Sequence, residues 1–149
     1  MKILLATDGS EYSTAAAKKL CDIFGGLLDS EIKIVSVYEP MQPIAAEPFA
    51  VSAEYYNEIS EASRNQAASF ASAAVDLVKV RCPEASISHE VLSGKPAPEI
   101  VQHAEQWGAD MIIVGSHGRG FWGRLLGSVS NGVVNHAPCT VMVVRKPPE

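Results

Sequence analysis

Residues 111–128 read MIIVGSHGRGFWGRLLGS. Met111 to Val114 is apolar with no alternation, the pattern of a strand covered on both faces. Glycines follow at 115, 118, 120, 123 and 127, and a helix is expected from about Ser128 to Asn135. A buried strand that opens through glycines into a helix is half of a βαβ unit, which commits the chain to a parallel sheet.

Outward from this stretch the same alternation repeats. The last strand is Thr140 to Arg145 (TVMVVR), stopped by Pro147-Pro148. Upstream, Gly94 and Pro96 introduce a helix through Ala97, Ile100, Val101, Ala104 and Trp107, closed by Gly108. Before it, Ile87 to Leu92 (ISHEVL) is the most polar strand and suits a sheet edge. A long helix spans about Ala53 to Val80, with Ile59, Ala67, Phe70, Ala74, Leu77 and Val78 as its buried stripe and Cys82-Pro83 as its end. The segment Glu39 to Ser52 carries Pro40, Pro43 and Pro48 and is a loop, because each proline removes a backbone donor. Two readings are open for it, a lid or a plain connection. Near the start, Lys2 to Thr7 (KILLAT) and Ile32 to Val37 (IKIVSV) are strands. Between them Tyr12, Ala16, Leu20, Ile23, Phe24 and Leu27 share a helical face, with Ser10 as N-cap and Gly25-Gly26 as stop. The expected fold is α/β: one Rossmann-like domain over residues 1–149, an open five-stranded parallel sheet of order 3-2-1-4-5, helices on both faces.

Composition narrows the function. The chain has 149 residues, 47% of them hydrophobic and 19% charged, enough apolar content for one core. A formal net charge of −5 opposes non-specific nucleic-acid binding, which rests on neutralising phosphates. Cys21, Cys82 and Cys139 are far apart and form no metal-ligand spacing, so neither a disulfide framework nor a zinc site is expected. No run approaches a membrane span, and the chain reads as cytoplasmic with no membrane partner.

The glycine stretch supplies the chemistry. Glycines let backbone N–H groups come close to a ligand, and the helix start at Ser128 adds unpaired N–H groups and a positive dipole end. Ser128 and Ser130 offer hydroxyls to phosphate oxygens, and Arg119 and Arg124 offer charge. Gly118-x-Gly120-x-x-Gly123 fits a dinucleotide fingerprint, but the acidic residue that should hold a ribose at the next strand end is missing. Gly118-x4-Gly123-Arg124-Leu125 lacks the Lys-Ser/Thr pair of a P-loop. The order 3-2-1-4-5 instead sets Ala6-Thr7-Asp8-Gly9-Ser10 beside Gly115 at the topological switch point, where open α/β sheets bind ligands.

ATDGSEYS at the start, SGKPAPEIVQHAEQWGADMIIVGSHGRG in the middle and LLGSVSNGVVNHAPCTVMVVR at the end resemble the universal stress proteins over essentially the whole chain. The nucleotide-binding members of that family carry Gly-x2-Gly-x9-Gly-Ser/Thr. The resemblance implies that Gly115, Gly118, Gly127 and Ser128 hold phosphates. It places Ala6, Thr7 and Asp8 against adenosine and the Val37 backbone at the adenine edge. Val114, Ser116, His117, Arg119, Val129 and Ser130 complete the expected nucleotide site. The implied ligand is ATP or another adenine nucleotide with magnesium; the implied assembly is a homodimer through Thr140–Arg145, whose unbroken run of Val141, Met142, Val143 and Val144 holds no charge or proline and suits an edge that pairs with a second copy. One departure stands out: eight residues separate Gly118 from Gly127, one fewer than the pattern.

Plainer roles stand beside these. Asp8 orients a ribose or magnesium, or caps the first helix with Ser10. Ser128 binds phosphate or caps the last helix. His117 is read as a solvated or backbone-bonding residue, and His89, His103 and His136 as surface or helix-end residues. Trp107 is assigned to the core and Cys139 to a buried, inert position. Phe121 and Trp122 have three open roles: closing over the ligand, packing on a neighbouring loop, or meeting a partner. No catalytic base or nucleophile is identified, so the expected job is a nucleotide-dependent stress-response or regulatory one, with an empty-site interaction module and a slow ATPase as alternatives.

Overall fold

A computed structural model describes residues 1–26, 29–42, 52–118 and 125–146. The strands are β1 (Lys2–Ala6), β2 (Glu31–Tyr38), β3 (Ser86–Ser93), β4 (Met111–Gly115) and β5 (Thr140–Val144). The helices are α1 (Glu11–Phe24), α2 (Ala53–Arg81), α3 (Pro96–Trp107) and α4 (Ser128–His136). All five strands are parallel in the order β3-β2-β1-β4-β5, as expected. Strand β3 is longer than its apolar run suggested, because its eight residues pair in register with all of β2. The ladder of β5 stops at Val144, one residue short of the expected Arg145.

Strand alternation divides the core between two faces. On β1, Ile3 and Leu5 face α1 and α2, where they meet Ala16, Leu20, Val75 and Val78. Leu4 points the other way, to Val35, Ile112, Ile100, Ala104 and Val133 beneath α3 and α4. Burying side chains of this size contributes roughly 1.5–3 kcal/mol each, so β1 anchors both layers.

Helix α1 starts at Ser10, whose hydroxyl accepts the Ser13 N–H at 3.1 Å. Gly9 just before it has φ +72°, and a Cβ there would collide with the edge of the Phe70 ring, so only glycine fits this turn. The buried face of α1 is Ser13, Ala16, Ala17, Leu20 and Cys21, rotated from the expected stripe, and Ile23 is 46% exposed. Leu27 lies outside the described residues. The burial of α2 is centred on Ala67, Ala71, Val75 and Val78, while Ile59, Phe70, Ala74 and Leu77 are partly covered.

Trp107 is only half-buried. Its ring lies under two lysines, with Lys2 Nζ at 5.4 Å and Lys33 Nζ at 4.9 Å from the centroid. Cys139 is also only partly buried, although burial still raises its thiol pKa and favours the unreactive form. His89 is exposed, and His136 ends α4 with Nδ1 2.9 Å from Gly132 O. His103 departs from the surface reading: it is mostly covered and sits 3.5 Å from Glu90. Burial lowers its pKa despite the opposing pull of that carboxylate. No helix among the described residues is long and apolar enough to cross a membrane.

Candidate functional site

β1 and β4 are neighbours, yet the chain leaves them in different directions, β1 into α1 and β4 into the glycine stretch. A cavity of about 340 Å³ opens between their carboxyl ends. Its floor is apolar: Ala6 of β1, Val35 and Val37 of β2, Val114 of β4, Pro96 and Ile100 of α3, and Val129 of α4. Polar groups gather on the rim, from Thr7, Asp8 and Ser13 on one side and from Gly115, His117, Gly118, Gly127, Ser128 and Ser130 on the other.

The N-terminal rim is built by local bonds. Asp8 Oδ1 accepts the Ser10 N–H at 3.0 Å, so Asp8 does support the start of α1. Thr7 donates its hydroxyl to Ser13 Oγ at 3.2 Å, and Ser13 donates its own to Ser10 O at 3.0 Å. Gly118 crosses close to the same carboxylate, and a Cβ there would lie 2.8 Å from Asp8 Oδ2. Gly115 packs as tightly, since a Cβ would stand 2.7 Å from the Tyr12 carbonyl carbon. A side chain at Gly115 would part the rims, while one at Gly118 would displace the Asp8 carboxylate.

Strand pairing prepares the floor. Thr7 N–H donates to Val35 O at 2.9 Å, so Val35 turns its polar backbone atoms toward β1. Residues two apart in a strand face the same way, so Val37 does so too, but β1 has ended. The next rung would carry Gly9 N–H to Val37 O; Gly9 N–H is instead directed to Thr7 Oγ1 at 3.3 Å. Val37 therefore presents a donor beside an acceptor at the edge of the cavity.

The other rim is a helix start without a side-chain cap. Gly127 is the N-cap of α4, with φ −65° and ψ 165°, and among the described residues no side chain bonds the first-turn N–H groups. That overturns the capping role for Ser128, which is the first helical residue and exposed. The first turn carries no acidic residue, so the positive end of the dipole faces the cavity unopposed by its own helix. Ser130 departs from its expected role as a phosphate donor. It is 2% exposed, and its hydroxyl donates to Ser116 O at 2.9 Å and Gly127 O at 3.0 Å.

His117 is not solvated. It is 6% exposed, its Nδ1 is 3.0 Å from Ser116 Oγ, and its ring lies 5.0 Å from that of Tyr12. Ser116 is 1% exposed and stands behind the cavity rather than in its wall. Thus Ala6, Thr7, Asp8, Val37, Val114, Gly115, His117, Gly118, Gly127, Ser128, Val129 and Ser130 come together around one space. Arg119, with Phe121, Trp122 and Arg124, lies outside the described residues, as does most of the 39–52 loop. Sequence reasoning missed Ser13, Val35, Pro96 and Ile100. Val35 was within reach, being two residues before Val37 and so on the same face; Pro96 and Ile100 share a helical face, but only the docking of α3 shows what they cover.

The Universal stress protein family profile matches residues 1–145. A universal stress protein of Methanocaldococcus jannaschii is 36% identical over 149 residues, covering 98% of this chain and 82% of its own length. One from Thermus aquaticus is 35% identical, covering 96% of this chain and 97% of its own. Among solved structures, a universal stress protein from Lactobacillus plantarum superposes with a TM-score of 0.80 at 24% identity, covering 97% of both chains. Two further structures share the fold and hold nucleotides. An Arabidopsis thaliana member with AMP bound has a TM-score of 0.70 at 18% identity, covering 99% of this chain and 92% of its own. A universal stress protein in complex with cAMP has a TM-score of 0.65 at 23% identity, covering 99% of this chain and 98% of its own. On its sequence along nearly its whole length, and in the strand order that sequence folds into, the chain belongs to the universal stress protein family.

Proposed function

We propose that this protein binds ATP, or another adenine nucleotide, in the cavity between β1 and β4 and acts through that bound state in a regulatory or stress-response role. The observation that carries the reading is the N-terminus of α4, which lines the cavity and whose first-turn N–H groups no side chain among the described residues caps. Phosphates would meet Gly118, Gly127 and Ser128. The apolar floor would take the purine, with Val37 N–H and C=O matching the N1 acceptor and N6 donor of adenine. Asp8 and Thr7 lie between the two regions, where a ribose would sit. Relatives in fold that hold AMP and cAMP support the same ligand class.

Magnesium fits as an ion carried by the phosphates. No group of three metal-ligating side chains occurs among the described residues, and Asp8 is the carboxylate on the rim. Magnesium is commonly held by one or two carboxylates plus substrate phosphates, keeping several waters. When bound it would neutralise phosphate charge beside Asp8.

Rapid hydrolysis is not expected. The hydroxyls of Thr7, Ser13 and Ser130 already donate to protein oxygens, so none of the three is primed to take up a phosphoryl group, and attack by water is what the phosphate-release measurement reads. Calorimetric titration with ATP and magnesium, paired with thermal melts, tests the binding. A ligand at 100 times its dissociation constant adds about 2.7 kcal/mol of stability, so an unchanged melt at millimolar ATP rejects it. Phosphate release at rates typical of dedicated ATPases would reject the regulatory reading instead.

A homodimer through β5 belongs to the same proposal. Its outer edge carries no charge or proline, and Val141, Met142 and Val143 are only partly covered. Such an edge pairs readily with another copy, and a lysine at Val143 should blunt it. Light scattering should give twice the chain mass for the wild type and the single-chain mass for Val143→Lys.

A further inference from the structure

Ser116 and Ser130 do something that a phosphate ligand does not. The Ser116 carbonyl accepts two bonds, from Gly127 N–H at 2.8 Å and from the Ser130 hydroxyl at 2.9 Å, which uses both of its lone pairs. The Ser116 N–H donates to Val144 O at 2.8 Å, tying the same peptide to β5. Its own hydroxyl meets His117 Nδ1. The two limbs of the glycine stretch, one leaving β4 and one entering α4, therefore close on each other at a single carbonyl. A Cβ on Gly127 would lie 3.3 Å from His117 Cα, so the limbs touch along their backbones too.

We infer that Ser130 is a positioning residue, whose hydroxyl clamps the two limbs of the phosphate cradle together before any ligand arrives. It rests on the proposed nucleotide site for its purpose, but not for its geometry. The hydroxyl has one proton, already shared between Ser116 O and Gly127 O, so it has no second proton for a phosphate oxygen. What it supplies is the position of Gly127 and so of the first turn of α4, whose N–H groups from Ser128 onward would do the binding. The clamp also explains how the stretch accommodates one residue fewer than the family spacing. The bonds join Ser116 to Gly127 and Ser130, outside the part of the sequence where the length differs, so the cradle's limbs are set independently of it.

Amide hydrogen exchange on the nucleotide-free protein reads the clamp directly, because the Gly127 N–H is one of its bonds. Ser130→Ala should speed exchange at Gly127 about tenfold, as expected for the loss of a buried partner bond, and Ser130→Thr should restore it. ATP affinity should fall with the first variant and return with the second, while adenosine, which has no phosphates, should bind all variants alike. If Ser130→Ala weakens ATP but leaves Gly127 exchange at the wild-type rate, the hydroxyl is a direct ligand and the clamp is wrong. If the wild type binds no nucleotide, the exchange measurement still decides the clamp while the proposed function fails by itself.

Discussion

Two helices begin at the cavity, and they begin differently. At α1 every nearby side chain is turned to the helix: Ser10 accepts from Ser13 N–H, Asp8 accepts from Ser10 N–H, and Ser13 and Thr14 donate back to Ser10 O. At α4 the N-cap is a glycine, and the first turn has neither a side-chain cap nor an acid. Helix starts leave about four N–H groups to be satisfied by something. In α1 side chains take the Ser10 and Ser13 N–H groups; in α4 a backbone carbonyl takes the Gly127 N–H, and the N–H groups of the first turn behind it are left for solvent or a ligand. The difference shows which rim shapes the cavity and which rim is built to receive negative charge.

The largest effect should come from making the second start like the first. Gly127→Asp places a carboxylate at the N-cap of α4, where the backbone angles suit any residue and the added Cβ meets His117 Cα at 3.3 Å, so the limbs must give by a few tenths of an ångström. It would occupy the N–H groups and repel phosphate, lowering ATP affinity about 100-fold, within the range of a lost charge-assisted hydrogen bond. Binding at wild-type strength, measured by calorimetry, would mean that the α4 start is not the anion site. Ser128→Ala should be next, with ATP about tenfold weaker and stability changed by less than about 0.5 kcal/mol, because Ser128 is exposed and caps nothing. Ser10→Ala should do the reverse. Loss of its cap should cost about 1 kcal/mol in a denaturant titration while leaving the affinity of the folded protein within about twofold. If both serines behaved alike in both assays, the distinction between the two helix starts would be empty.

How far this was legible in the sequence depends on the range of the interaction. Strand alternation and glycine placement are local, so the five strands could be read directly, whereas the order 3-2-1-4-5 and its switch point depend on which strands pair and entered as an expectation of the α/β pattern. Ser10 was legible as a cap because Asp8-Gly9-Ser10 sits immediately before the helical period. Ser128 was not, since a shift of one residue moves the N-cap to Gly127, and helix boundaries carry that uncertainty in any sequence reading. Ser130 was harder still. Its partner Ser116 lies fourteen residues back, and nothing in residue type separates a hydroxyl that binds phosphate from one that donates to a distant carbonyl. The exposure of Ile23 and the half-burial of Trp107 likewise follow from how α1 and α3 are rotated on the sheet, a packing outcome that helical period alone leaves open.

The opposite end of α1 offers a smaller and independent test, one that should touch stability and spare the site. Cys21 is buried there, and its thiol pKa is pushed from 9.0 up to about 12, mainly by burial, then by its hydrogen bond with Cys82 and that neighbour's charge. The native state therefore holds this proton where the unfolded chain releases it. Stability supplied by the neutral thiol is intact below pH 9 and is lost progressively between about pH 9 and 12. At pH 9.0 the unfolded thiol is half ionised, so the loss relative to pH 7 is about 0.4 kcal/mol, the free energy of a factor of two. Denaturant titrations at both pH values should show that increment in the wild type and not in Cys21→Ala, whatever the baseline stability of the variant. An equal loss in the two proteins would assign the alkaline sensitivity elsewhere. ATP affinity should be the same for both at either pH, because Cys21 lies in the last turns of α1, and the cavity is formed at its first.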